Sequence, residues 1–314
     1  MVATIGFFDG VHRGHQCLIR QVQDEALQRG MRSLIITFDR HPRAVFAPDA
    51  VPPLLTTAEE KMALLKATGI DDIYVLPFDK TMAALTAREF MQQVLKEQLG
   101  VKVLVIGYDH RFGKPLSGSP RGGEGFIEYQ GYGREMGIEV VLAQELEGEH
   151  VSSSVIRRAL EAGDVQRAAQ LLGRPYTWTG RVVHGHGVGH QLGFPTANLT
   201  TVNSEKMLPA RGAYAVRVKK EKVKSEEWDG EEWDGEEWAA GMLNIGQRPT
   251  LDNGTDTSIE VHLFDFQGNL YGQILTLSFI ARLREERRFD SEAELTEQLR
   301  RDKEKCLELA LPRA

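Results

Sequence analysis

Residues 2–15 read VATIGFFDGVHRGH, and this stretch decides the fold of the first half of the chain. Val2–Ile5 is a short apolar run typical of a buried strand, and an amphipathic helix is predicted from about His15. A glycine-rich turn lies between them. Parallel sheets bind ligands at the carboxyl ends of their strands, so this turn is predicted to form a ligand site.

The rest of the first half repeats the alternation of strand and helix. Amphipathic segments separate further apolar runs at 34–38, 73–76, 103–106 and 138–142. Thr57 with Glu60, and Thr86 with Glu89, have the spacing of capping boxes that open helices. Alternation of this kind predicts an α/β fold with a parallel sheet covered by helices.

After Gly173 the pattern changes to strands without intervening helices. Strand patterns occupy 177–183, 212–218, 239–243, 258–264 and 273–280, joined by turns rich in Gly, Pro and Asn. A helix pattern returns only at Ser291, which forms a capping box with Glu294. We therefore predict an antiparallel β-barrel with a C-terminal helix. The predicted domains are residues 1–173 and 174–314.

Composition excludes several classes of protein. The 314 residues are 41% hydrophobic and 26% charged, with a net charge of −7, which argues against nucleic acid as a partner. No apolar run reaches the roughly 18 residues of a membrane span. The two cysteines, Cys17 and Cys306, lie far apart, which favours a reducing cytoplasm over a disulfide framework.

The turn after the first strand carries two histidines three residues apart, His12 and His15. At the start of a helix this spacing can bring both imidazoles to the same place. Gly6, Gly10 and Gly14 allow the backbone to approach a phosphate closely, and the helix N-terminus favours an anion. Imidazole donors there would stabilise charge that develops at phosphorus. The alternative is a pair of surface histidines at a helix cap.

Three segments, GFFDGVHRGH at 6–15, GYDHRFG at 107–113 and SSSVIR at 152–157, resemble the nucleotidyltransferase superfamily, most closely its FAD-synthetase branch. The resemblance implies a Rossmann-like domain in which His12 and His15 stabilise charge. It also implies flavin contacts from Asp109 and Phe112. The residues implied to contact ATP are Gly6, Phe8, Asp9, Gly14, Ser153 and Arg157. Phe7 stands where that branch usually has Asn, and Ser154 where it has Thr.

A second glycine-rich loop, HGHGVGHQLGFPTAN, occupies residues 184–198. Alternate glycines permit a backbone nest for phosphates, and Thr196 and Asn198 supply hard oxygen donors suited to Mg²⁺. A transition-metal site is the competing interpretation, with ligands from His184, His186 and His190.

The same loop resembles the glycine-rich loop and Pro-Thr-Ala-Asn motif of riboflavin kinases. That resemblance implies ATP contacts from Gly185, Gly187 and Gly193. Glu260 lies in a strand whose apolar residues alternate with Glu260 and His262, and the family's Glu-x-His segment implies that Glu260 is the catalytic base. Arg284 is implied to lie near the flavin.

The order of the two resemblances is that of the prokaryotic bifunctional riboflavin kinase/FAD synthetases. It implies that riboflavin and ATP give FMN and ADP, and that FMN and ATP then give FAD and diphosphate. Two alternatives stay open: a riboflavin kinase with an inactive nucleotide-binding first domain, and a non-catalytic flavin-binding interaction protein. Family members usually carry a short segment before the first strand, so we expect a truncated start.

An acidic repeat interrupts the predicted barrel. Residues 226–238 read EEWDGEEWDGEEW, a five-residue tandem repeat between two strand patterns. A solvated insertion at a hairpin tip is the favoured interpretation. The evenly spaced Trp228, Trp233 and Trp238 leave a role in self-association open.

Overall fold

The computed structural model describes residues 1–107, 109–114, 124–185, 193–221, 238–247, 257–266 and 268–310. The chain forms two compact units, Met1–Ser153 and Ser154–Ala314. Among the described residues, no helix combines the length and apolar character needed to cross a membrane.

The first unit is built on a parallel sheet, as predicted. Its strands are β1 (Val2–Ile5), β2 (Ser33–Phe38), β3 (Asp72–Leu76), β4 (Val103–Ile106) and β5 (Glu139–Leu142). Their order in the sheet is β3-β2-β1-β4-β5, and every neighbouring pair is parallel. The chain therefore builds outward from β1 on one side and then crosses to β4 on the other. Such a reversal leaves a crevice at the carboxyl ends of β1 and β4.

Helices cover both faces of this sheet. They are α1 (Arg13–Gln28), α2 (Arg43–Phe46), α3 (Ala58–Lys66), α4 (Lys80–Ala84), α5 (Ala87–Phe90) with a π-helical continuation (Met91–Gln98), and α6 (Phe126–Met136). The two capping boxes predicted for this unit are present, at Thr57 and Thr86. Alternate residues of β1 enter separate cores: Val2 packs in one cluster, and Ala3 and Ile5 pack in the other.

The second unit is a closed antiparallel barrel with helices against it. After α7 (Ser153–Glu161) and α8 (Val165–Leu172) come β6 (Thr177–Val183), β7 (Ala197–Thr201), β8 (Gly212–Lys220), β9 (Ala239–Gln247), β10 (Thr257–Leu263), β11 (Ile274–Arg284) and α9 (Glu292–Ala310). The barrel order is β10-β7-β6-β11-β8-β9. The predicted fold class, a parallel α/β domain followed by a barrel and a C-terminal helix, is confirmed.

Two details differ from the sequence-based picture. Strand β7 was not predicted, because its polar residues are typical of a turn; pairing with β6 and β10 on either side makes it a strand. Helix α7 packs with the barrel, where the backbone N–H of Ala210 donates to the Leu160 carbonyl at 2.9 Å. The functional boundary at residue 173 stays a prediction.

Candidate active sites

The turn after β1 is held in a fixed shape by its own buried side chains. Phe8 and Val11 have φ angles of 56° and 39°, a left-handed region that is strained for bulky and β-branched residues. Both side chains are buried. Core packing of these two side chains therefore stabilises a strained backbone conformation in this turn.

His12 and His15 meet at the start of α1, as their spacing suggested. Their rings stack with centroids 3.6 Å apart, and His12 Nδ1 accepts the His15 backbone N–H at 3.3 Å. A Cβ atom at Gly14 would lie 3.2 Å from the Val151 carbonyl oxygen and 3.3 Å from the His12 ring, so glycine permits this close packing. Burial, followed by the proximity of His12 and His110, lowers the pKa of His15 well below its ordinary value. His15 is therefore neutral at pH 7.

Asp9 is buried and binds the chain that precedes α3. Its carboxylate accepts the backbone N–H of Leu55 at 2.9 Å and that of Thr56 at 3.1 Å. The Asp9 carbonyl oxygen accepts the Ser153 hydroxyl at 3.0 Å. Asp9 and Ser153, both predicted to contact ATP, thus also hold the turn in place, and Ser153 is the first residue of α7. Arg157 is buried on α7 in the second unit, and its contact with ATP stays a prediction.

An aromatic cavity of about 170 Å³ lies in the first unit. Its walls include the rings of Phe38, Phe46, Phe78, Phe90 and Phe112. A flat apolar ring system fits such walls, because offset and edge contacts between aromatic rings are favourable.

Phe112, one of the predicted flavin contacts, is held in place by Tyr129. Its ring stacks on Tyr129 at 4.2 Å, and the Tyr129 hydroxyl oxygen accepts the Phe112 backbone N–H at 3.0 Å. Tyr129 is fully buried. Asp109, the other predicted contact, is an exposed residue and is not part of the cavity wall.

Lys61 is a buried lysine beside the first turn that sequence reasoning missed. Its ammonium donates to the Phe38 carbonyl oxygen at 2.9 Å and lies 4.1 Å from the centre of the Phe7 ring. Burial lowers its pKa to about 8, and the carboxylates of Asp9 and Asp39 oppose that shift. No local signal marks this residue, since a lysine in an amphipathic helix ordinarily faces solvent.

In the barrel, strand pairing brings two of the predicted kinase residues, Glu260 and Asn198, to one place. Glu260 of β10 pairs directly with Asn198 of β7 on one side and with Asn244 of β9 on the other. Directly opposed residues have Cβ atoms about 4.5–5.5 Å apart. Thr196 and Glu260 line a cavity of about 280 Å³, whose apolar wall comes from Phe194, Phe289, Leu295 and Leu299.

Gly185 lies against Asn198. A Cβ atom at this glycine would lie 1.9 Å from Asn198 Nδ2 and 2.4 Å from its Cγ. An added side chain here would require the Asn198 amide to move, and Asn198 is itself buried. Gly193, the other described glycine of this loop predicted to contact ATP, has φ +78°, which favours glycine.

His262 shares the Glu260 face of β10, as the alternation predicted. Its Nδ1 lies 2.7 Å from the Pro195 carbonyl oxygen; because a carbonyl only accepts, Nδ1 carries the hydrogen. Burial lowers the pKa of His262. This bond fixes the backbone immediately before Thr196.

Arg284 lines the same cavity but is bound to the C-terminal helix. Its Nε donates to Asp302 Oδ2 at 2.9 Å, and Gln298 donates to the other Asp302 oxygen at 2.8 Å. Asp302 is buried. The ion pair joins β11 to α9, so Arg284 positions one wall of the cavity.

Several predicted features lie outside the described residues. They are Gly187, His186, His190 and the repeat at 226–237; the last repeat residue, Trp238, is described and partly exposed. His184 stacks on Tyr271 with ring centroids 4.0 Å apart. Among the described residues, no group of three or more His, Cys, Asp or Glu side chains has the geometry to hold a metal ion.

Comparison with known proteins covers both units. The FAD synthetase family model matches residues 1–155, and the riboflavin kinase family model matches residues 172–310. The bifunctional riboflavin kinase/FMN adenylyltransferase of Pseudomonas fluorescens is 37% identical over 313 residues, covering 100% of this chain and 94% of that protein. The Escherichia coli K12 protein with the same description is 37% identical, covering 96% of this chain and 90% of that one.

One solved structure has nearly the same fold along the whole chain. A crystal structure described as a macrolide-efflux protein from Streptococcus pneumoniae has a TM-score of 0.80 and 30% sequence identity. The match covers 96% of this chain and 92% of that one.

Proposed function

The chain belongs to the family of bifunctional riboflavin kinases/FMN adenylyltransferases, and from that premise we propose a function for each unit. The barrel phosphorylates riboflavin with ATP to give FMN and ADP. The parallel-sheet unit then joins FMN to the AMP part of a second ATP, giving FAD and diphosphate. The full-length similarity to relatives that carry both activities supports this function over a kinase alone or a binding protein.

For the kinase, the supporting observation is the pairing of Glu260 with Asn198 across β10 and β7. Glu260 acts as the base that takes the proton from the ribityl hydroxyl while this oxygen attacks the γ-phosphate. The apolar wall of the adjoining cavity binds riboflavin, with Arg284 held behind it by Asp302.

The kinase site also has the chemistry of a magnesium site. Thr196 offers a hydroxyl oxygen and Asn198 an amide oxygen, and the backbone of Gly185 lies close against the Asn198 amide. Oxygen donors of this kind are those that Mg²⁺ prefers. We assign Thr196 and Asn198 as its ligands; bound there, the cation would neutralise charge on the ATP phosphates.

In the first unit, we assign His12 and His15 to stabilising charge on the phosphates during adenylyl transfer, without a covalent intermediate. The stacked rings at the start of α1 support this assignment. The helix N-terminus contributes backbone N–H groups for the same anion. We assign the aromatic cavity to the isoalloxazine ring of FMN, with Phe112 as one of its walls.

We further propose that both reactions take place in the cytoplasm. Both cysteines are free, and the relatives named above are bacterial. Riboflavin, FMN and ATP are then the partners of this chain. A role of the tryptophan repeat in self-association stays a prediction.

The test is incubation of the full chain with riboflavin, ATP and Mg²⁺, followed by chromatography of the flavins over time. We expect FMN first and FAD after it. FMN without FAD would support a kinase with an inactive first domain. Absence of both products would support a binding protein.

A further inference from the structure

His110 lies in the loop after β4, and the proposed mechanism gives it no role. The sheet order places β4 beside β1, so the loop that carries His110 borders the turn that carries His12 and His15. The two loops meet where the chain reverses its direction through the sheet, the place at which open α/β sheets bind ligands. The proximity of His110 is one of the causes that lower the pKa of His15.

The ring nitrogens at this place lack partners inside the protein. Within the described part of the chain, His15 Nδ1 and His110 Nε2 are both buried and neither has a hydrogen-bond partner. A buried polar atom left without a partner is destabilising, so native proteins rarely keep one without a reason. Two such atoms in adjoining loops indicate a polar ligand that supplies their missing hydrogen-bond partners.

The backbone of His110 is held in place by its own loop, and its ring contacts the Phe112 ring, with centroids 5.9 Å apart. Its backbone N–H donates to the Gly107 carbonyl at 3.1 Å, and its carbonyl accepts the Arg111 guanidinium at 2.9 Å. Burial, and to a lesser degree the charge of Arg111, lowers the pKa of His110 to about 4. The imidazole is therefore neutral at pH 7 and can present one N–H without repelling His15.

We propose that His110 is a third phosphate-contacting histidine of the adenylyl-transfer site, donating its Nε2–H to a phosphate oxygen of bound ATP or FMN. This inference rests on the proposed adenylyl-transfer function. Neutral donors from two adjoining loops would then hold the phosphates from two sides of the crevice. A hydrogen bond to a charged group contributes about 1.5–3 kcal/mol, so its loss should lower catalysis by about 10- to 100-fold.

The test compares His110→Phe with His110→Gln in the full chain. Phenylalanine keeps a flat ring and removes the donor, whereas glutamine can present an amide N–H near the position of Nε2. We expect His110→Phe to lower kcat/KM for conversion of supplied FMN to FAD by about 10- to 100-fold. His110→Gln should recover most of that loss. Riboflavin phosphorylation by the same samples should not change, because it takes place in the other unit, and denaturant unfolding of each variant reports on the folding of the unit that carries His110.

His150 offers a matched control, since it is an exposed histidine of the same unit. His150→Phe should leave FAD formation near the wild-type rate. A higher KM for ATP in His110→Phe assigns the contact to the nucleotide, and a higher KM for FMN assigns it to the flavin phosphate. A lower kcat with both KM values unchanged assigns it to the transition state.

Imidazole nitrogen NMR of the wild-type chain gives a readout independent of the variants. Addition of inorganic pyrophosphate should shift the His110 Nε2 resonance. The inference is overturned if His110→Phe forms FAD at more than about half the wild-type rate, or if His110→Gln is as impaired as His110→Phe. If the wild-type chain itself makes no FAD, the proposed function fails, which is a separate result.

Discussion

Replacement of Gly185 by alanine should selectively remove the kinase activity. The added Cβ would lie 1.9 Å from Asn198 Nδ2, whereas ordinary contacts begin at 3.4 Å. The Asn198 amide would therefore have to move by about 1.5 Å. Asn198 is buried and pairs with Val183 on one side and Glu260 on the other, so its side chain has little space to move into.

The size of the effect follows from this displacement. A misplacement of about 1 Å at a catalytic group costs about 100-fold in rate. We therefore expect FMN formation by Gly185→Ala to fall about 100-fold at fixed Mg²⁺, with a higher Mg²⁺ concentration needed for half-maximal rate. Overpacking of this kind lowers the free energy of unfolding by about 1–3 kcal/mol, which leaves the chain folded at room temperature.

The assay follows FMN formation from riboflavin, and then FAD formation from supplied FMN in the same samples. FAD formation should stay near wild type, because it takes place in the other unit. Gly131→Ala is the matched control: this glycine lies within α6, and an added Cβ would have no atom within 4 Å.

A double-mutant cycle tests whether Gly185→Ala acts through Asn198. If it does, the pair Gly185→Ala/Asn198→Ala should be no slower than Asn198→Ala alone. Kinase activity of Gly185→Ala above about a third of wild type, or full additivity in the cycle, would refute the claim that Gly185 acts by positioning Asn198. An unchanged Mg²⁺ dependence of FMN formation in Asn198→Ala would refute the assignment of Asn198 as a metal ligand.

Three further predictions concern other parts of the chain. Burial lowers the pKa of Lys61 from 10.5 to about 8, so between these pH values the unfolded chain binds one more proton than the folded chain. The free energy of unfolding should therefore rise by about 3 kcal/mol from pH 8 to 10.5. Denaturant unfolding of Lys61→Met should lack that rise. Asp302→Asn should lower the free energy of unfolding by about 3 kcal/mol, because it leaves Arg284 without its buried charged partner. The same variant should raise the KM for riboflavin, and an unchanged KM would contradict a role for Arg284 in the flavin site. Replacing residues 226–237 with a Gly-Asn turn should leave both activities intact, since insertions of this kind add little loop-closure cost. If light scattering shows a smaller assembly for this variant than for the wild-type chain, the repeat has a role in self-association.

The features that sequence predicted are those with local causes. Strand β1, its glycine-rich turn and the capping box at Thr57 are each encoded within a few neighbouring residues, and the structure contains all of them. The alternation around Glu260 is local too, and it correctly separated the face that lines the cavity from the face that packs in the barrel.

The features that sequence missed depend on residues far apart in the chain. Strand β7 forms where β6 and β10 pair with it, and the Pro-Thr-Ala-Asn segment at its start is by itself typical of a turn. The Lys61 ammonium lies over the Phe7 ring and donates to the Phe38 carbonyl oxygen, although its helix pattern alone places it in solvent. No local pattern contains such information.

The most direct test of two separate sites on one chain compares Glu260→Gln with His12→Ala. Both activities are measured on each purified variant. Glu260→Gln should lower FMN formation by about 10²–10⁴-fold, the usual contribution of a positioned base, and should still convert supplied FMN to FAD. His12→Ala should lower FAD formation by about 10²–10³-fold and leave FMN formation near wild type. Equal loss of both activities in either folded variant would contradict the account.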